Sequence, residues 1–144
     1  MYDYNETGQI MEKAIILAED NMGHARLIEK NLKRGGLEGN VTHFTDGRQV
    51  MDFLGSEKKA ANPHTMVVLL DLNMPVMNGF QVLQSVKSDP AMQSIHVVVM
   101  TTTDDPNELQ RCYDLGCDLA LTKPVEYTSF AKTIQKLAQD LNAM

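Results

Sequence analysis

The run Met66-Val67-Val68-Leu69-Leu70 ends abruptly in Asp71, and Pro75 stops the chain soon after. A run this short, this apolar and this rich in Val and Leu suits a strand buried on both faces, as in a parallel sheet covered by helices. Asp71 then sits at the carboxyl end of the strand. In open α/β sheets that edge binds ligands, at the point where the strand order reverses. The plainer alternative is an acid capping the following turn. What else the chain brings to the same edge decides between them.

Four further short apolar runs are separated by segments with helical spacing. Ala14 to Ala18 predicts a first strand, ended by the adjacent acids Glu19 and Asp20. Charge directly after a buried strand is costly unless a cation or a reacting group needs it. Ala25, Ile28 and Leu32 mark a helix that stops at Gly35-Gly36. Asn40 to Phe44 reads as a second strand, and Asp46-Gly47 opens a helix facing inward through Val50, Phe53 and Leu54. The polar stretch Gly55 to Thr65 reads as a long loop. After the Asp71 strand, Asn78-Gly79 begins a helix with Phe80, Leu83 and Val86 on one face, ended by Asp89-Pro90. Ile95 to Met100 is the next strand and runs into Thr101-Thr102-Thr103. Asp105-Pro106-Asn107-Glu108 supplies an N-cap, a proline at N1 and a glutamate at N3 for a helix ending at Gly116. Leu119 to Leu121 forms the last strand, then Thr122-Lys123-Pro124 leads to a helix through Phe130, Ile134, Leu137 and Leu141. Fivefold alternation of strand and helix implies right-handed crossovers and an α/β three-layer sandwich.

The 144 residues suffice for one core, expected over 14–144 behind a loosely held tail at 1–13, with no output domain. A net charge of −6 argues against general nucleic-acid binding. No apolar run is long enough to span a bilayer and no signal-peptide pattern is present, which predicts a cytoplasmic protein without a membrane partner. Cys112 and Cys117 match neither a zinc pair nor a redox motif and read as free thiols. Of the four histidines, His24 falls near the acids, and all four read as core or surface residues. The ten methionines read as core filling.

Parallel strands would gather Glu19, Asp20, Asp71, Thr101 and Lys123 around one crevice. Three neighbouring carboxylates repel one another, and a divalent cation relieves that repulsion. Mg2+ suits an oxygen site of this kind, with the backbone carbonyl of Asn73 as a further ligand. A carboxylate is also a nucleophile toward phosphorus, giving an aspartyl phosphate. Lys123 and the Thr101 hydroxyl would then hold phosphoryl oxygens while charge develops. Two rivals share these features: a phosphohydrolase working through an aspartyl phosphate, and an FMN-binding electron carrier. The second is opposed by Glu19-Asp20, which stand where a phosphate-cradling loop should be.

Taken together, Glu19-Asp20, Asp71-Leu72-Asn73-Met74-Pro75, Asn78-Gly79, Thr101 and Lys123-Pro124 resemble the receiver domain of two-component response regulators, over roughly Lys13 to Ala143. The resemblance implies a flavodoxin-like fold of strand order 2-1-3-4-5, phosphoryl transfer from a sensor histidine kinase to Asp71, a Mg2+ requirement and a cis peptide before Pro124. It implies a signalling switch and not a conventional enzyme. The polar insert before the central strand is similar to that of stand-alone receivers serving bacterial phytochromes. Output would then pass through protein contacts, including a phosphorylation-dependent homodimer, on a face containing Leu109, Tyr113, Ala120, Tyr127 and Phe130. Two positions depart from the pattern. Ala120 stands where many receivers carry an aromatic ring that swings inward on phosphorylation, and Thr102 stands where many have a smaller alanine beside the phosphoryl group.

Overall fold

A computed structural model describes residues 13–57 and 65–144. Five strands, β1 (Lys13–Ala18), β2 (Gly39–Phe44), β3 (Met66–Leu70), β4 (His96–Thr101) and β5 (Leu119–Thr122), alternate with five helices. The helices are α1 (Met22–Arg34), α2 (Gly47–Glu57), α3 (Gly79–Ser88), α4 (Pro106–Asp114) and α5 (Tyr127–Asn142). The strands form one all-parallel sheet in the order β2-β1-β3-β4-β5, the flavodoxin-like arrangement expected.

Why β3 is apolar at every position follows from its place in the middle of the sheet. Successive side chains point to opposite faces. Val67 and Leu69 join Ile15, Leu17, Val98 and Met100 under α1 and α5, where Ala25, Ile28, Leu32, Phe130, Ile134 and Leu141 close that layer. Val68 and Leu70 join Ile16, Val97 and Val99 on the other side, under Val50, Leu54, Val82, Leu83, Val86 and Cys112. Each face has its own core, so burial of every residue from Met66 to Leu70 stabilises both layers.

The helix starts carry their own chemistry. Asn78 caps α3 in a reciprocal box with Gln81, each side chain accepting from the other's backbone N–H. Gly79 lies so close to the Asp71 strand end that a Cβ would come within 2.7 Å of Leu72 Cα. Only glycine permits that approach. At α4, Asp105 caps through Asn107 N and Pro106 occupies the first turn. Glu108, however, closes no box there. It accepts from the Thr103 hydroxyl at 2.6 Å, and that hydroxyl in turn accepts from Asp105 N.

Some expectations are corrected. Helix α2 runs to Glu57, so Gly55, Ser56 and Glu57 are helical and not loop. In α3 the buried face includes Val82 with Leu83 and Val86, whereas Phe80 is only half buried beneath the Arg111 guanidinium, 4.1 Å from its ring centre. Among the described residues there is no cis peptide, so the bond before Pro124 is trans, the form an X–Pro bond intrinsically favours by about 0.5–1 kcal/mol. The expected tail at 1–13 and the insert at 55–65 fall mostly outside the described residues.

Candidate functional site

Parallel pairing places all five strand ends on one edge. Since β1 lies beside β3, the acids following β1 come next to the acid following β3. Backbone hydrogen bonds extend the ladder past the strands and fix these residues: Asp71 N donates to Ala18 O at 3.0 Å, Glu19 N to Phe44 O at 3.0 Å and Lys123 N to Thr101 O at 2.6 Å. Carboxylate oxygens of Glu19, Asp20 and Asp71 lie within 4.8 Å of one another. Glu19 and Asp71 are buried, and Asp20 is exposed at the mouth.

Lys123 is buried between the two inner acids. Its ammonium hydrogen-bonds Glu19 Oε1 and lies 3.8 Å from Asp71 Oδ2. Burial pushes the Asp71 carboxyl up to about 7; Lys123 opposes this and Glu19 reinforces it. Without a cation the site therefore holds one carboxylate too many. All three donors are hard oxygens, which fits a divalent cation such as Mg2+ or Mn2+.

Thr101 is fully buried at the end of β4, and its Oγ1 accepts from Thr103 N at 3.3 Å. Thr102 is exposed. It lines a shallow groove of about 300 Å3 with His24, Lys123, Pro124, Val125 and Tyr127, beside the carboxylates. Asn73 is exposed, and its backbone N–H makes a long hydrogen bond of 3.4 Å to Asp71 Oδ1. Of the expected output face, Phe130 belongs to the core, Leu109 and Ala120 are half buried, and Tyr113 and Tyr127 are exposed. Cys112 and Cys117 are free and buried, and desolvation pushes the Cys117 thiol up to about 11.

Three contacts were not assigned from the sequence. The His43 imidazole makes a hydrogen bond of 2.7 Å between Nε2 and the Glu19 carbonyl. His24 places Nδ1 3.3 Å from Lys123 Nζ. Tyr113 receives Ala120 N–H on its hydroxyl at 3.0 Å, so a ring from α4 is held against the strand position that lacks one. Only His24 had a sequence signal, its place in the first turn after the two acids.

The sequence profile of the family described as response regulator receiver domain matches residues 15–135. The chain is a receiver domain. This receiver is 43% identical to a receiver domain structure from Rhodospirillum rubrum, with a TM-score of 0.84 and coverage of 91% of this chain and 94% of that one. The Mn2+-bound form of response regulator Rcp1, a Synechocystis protein, is 30% identical with a TM-score of 0.78, covering 87% and 91%. The phosphorylated cyanobacterial phytochrome response regulator RcpA is 30% identical with a TM-score of 0.82, covering 92% and 95%. Among the described residues of the receiver, no helix is long and apolar enough to cross a membrane.

Proposed function

We propose that this receiver accepts a phosphoryl group on Asp71 from the phosphohistidine of a sensor kinase, in a Mg2+-dependent reaction. The observation that carries this is the buried Asp71, with two further carboxylates and the Lys123 ammonium converging on it. Glu19, Asp20, Asp71 and the Asn73 carbonyl would hold the cation. When bound, Mg2+ neutralises charge on the carboxylates and on the phosphoryl oxygens.

An Asp71 carboxylate oxygen attacks phosphorus. The O–P bond forms as the N–P bond to the kinase imidazole breaks, and the electron pair returns to the imidazole nitrogen. Lys123 and the Thr101 hydroxyl each donate to a phosphoryl oxygen, and Thr102 stands at the rim of the same pocket. The carboxylate, not the acid, is the nucleophile, so the high pKa of Asp71 makes its ionisation depend on the cation and Lys123.

The kinase reaches the site from the mouth. Exposed Met22, Val125 and Tyr127 give that mouth an apolar rim on which a partner helix can dock. The naming of RcpA as a phytochrome response regulator supports a phytochrome-type kinase as the donor, and a cytoplasmic setting follows from that partnership. Output is a protein contact, including self-association, controlled by phosphorylation. With Ala120 in place of a rotating ring, the switch runs through Thr101 and the Thr103 network. Thr101 Oγ1 holds Thr103 N, Thr103 Oγ1 holds Glu108 at the start of α4, and Thr122 Oγ1 donates to Thr103 O at 2.9 Å.

Labelling by a phosphorylated histidine kinase or by acetyl phosphate tests the reading. Wild type should take up one hydroxylamine-labile phosphate, none when EDTA removes the metal, and none in Asp71→Asn. Undiminished labelling of Asp71→Asn would overturn it.

A further inference from the structure

Lys123 has three N–H groups and can accept nothing. One goes to Glu19 Oε1, and the Asp71 carboxylate lies 3.8 Å away. Another points into α1, where His24 Nδ1 stands 3.3 Å from Nζ. The same Nδ1 is 3.8 Å from Glu19 Oε1, beyond hydrogen-bond reach. An ammonium facing a ring nitrogen at that distance requires the nitrogen to be the acceptor. In the tautomer with its proton on Nε2, Nδ1 is free to accept from that ammonium.

The ring is itself held in place. It meets Phe130 edge-on, with centroids 6.0 Å apart, and Phe130 is anchored in the core beneath α5. The backbone N–H of His24 donates to the Asn21 cap at 3.0 Å, which fixes the first turn of α1. With 36% of its side chain exposed, His24 also lines the groove beside Thr102, Pro124 and Val125. One ring thus touches the buried lysine on one side and the open mouth on the other.

We propose that His24 is a positioning residue for phosphoryl transfer, with Nδ1 accepting from the Lys123 ammonium so that its remaining N–H is aimed at the Asp71 carboxylate and the incoming phosphoryl oxygen. A lysine on a flexible four-carbon stem otherwise has many orientations within the pocket. Two fixed acceptors, Glu19 and His24, leave the third hydrogen little choice of direction. That is preorganisation: the donor is in place before charge develops on the phosphoryl oxygens. The inference rests on Asp71 being the phosphoacceptor.

Three variants separate the hydrogen bond from packing. His24→Phe keeps an aromatic ring against Phe130 and loses the acceptor. His24→Asn puts Oδ1 close to the place of Nδ1, and His24→Ala removes both. With acetyl phosphate and Mg2+, the saturating rate of Asp71 phosphorylation should fall by about tenfold in His24→Phe and His24→Ala, the low end of what losing an orienting partner costs. The half-saturating acetyl phosphate concentration should change little, and His24→Asn should recover most of the rate.

Nitrogen-15 NMR of the wild-type protein should show the His24 proton on Nε2, with circular dichroism confirming that the variants fold. A His24→Phe rate within twofold of wild type, a failure of His24→Asn to recover activity lost in His24→Phe, or a proton on Nδ1 would each overturn the proposal. If wild-type Asp71 takes no phosphate, it is the phosphoacceptor reading that fails, and the tautomer still decides whether His24 holds the lysine.

Discussion

Lys123 donates a hydrogen bond to Glu19 and none to Asp71, whose Oδ2 is 3.8 Å from the same ammonium. The buried lysine charge is thereby committed mainly to an acid that is itself buried. Asp71 keeps the desolvation cost and receives only part of the compensation. Its carboxyl is driven well above the usual range.

That imbalance makes stability depend on pH in a definite direction. Because the folded-state pKa of Asp71 is raised to about 7 from 3.8, the protonated form is favoured by folding. The contribution is fully present below about pH 4 and is lost as pH rises through 7. In metal-free buffer, Asp71→Asn should therefore exceed wild type by roughly 1–3 kcal/mol at pH 8, and the difference should shrink toward zero near pH 4. Urea denaturation of both proteins across that range checks it. Added Mg2+ should reverse the order at pH 8, since only wild type offers the full carboxylate set.

Asp20 is the exposed member of the trio. Replacing it with Ala should lower Mg2+ affinity by about tenfold or more, measured by titration calorimetry, while raising the metal-free melting temperature. Unchanged affinity would place the cation elsewhere.

Val76 is a non-glycine residue with positive φ, 66°, and Met77 N bonds back to Pro75 O at 2.7 Å around it. This is the strained form of the γ-turn, and a β-branched side chain suits it poorly. The side chain is exposed and contributes little packing. Val76→Gly should stabilise the fold by roughly 1 kcal/mol, the relieved strain exceeding the added chain entropy. The urea midpoint should rise with an unchanged slope.

Thr101→Ala should still be phosphorylated but should respond less to it. The substitution removes the acceptor for Thr103 N and with it the link to Glu108 and Thr122. Sedimentation and kinase pull-down with and without beryllofluoride, a phosphoryl mimic, should show roughly half the wild-type change or less, because a contact made equally in both states transmits nothing. A full response would move the switch to another element, the Tyr113–Ala120 contact first.

The sequence by itself determined the elements, their faces and the edge at which chemistry gathers. The unbroken apolar run from Met66 to Leu70, the periodic helices and the caps at Asn78 and Asp105 are local properties, written within a few residues of where they act. Alternation then fixed a parallel sheet, and a parallel sheet brings Glu19, Asp20, Asp71, Thr101 and Lys123 to one end. Only the tertiary structure decided how those side chains share one another. Lys123 and Glu19 are separated by 104 positions, and the lysine's choice between two acids turns on ångström differences in how β1, β3 and β5 are set side by side. The contacts of His24 with Lys123, His43 with Glu19 and Tyr113 with Ala120 arise in the same way, from side chains whose identity says nothing of their partner. Periodicity encodes which face a residue takes. Hydrogen-bond partnership depends on distance and direction across elements, and those exist only once both cores have packed.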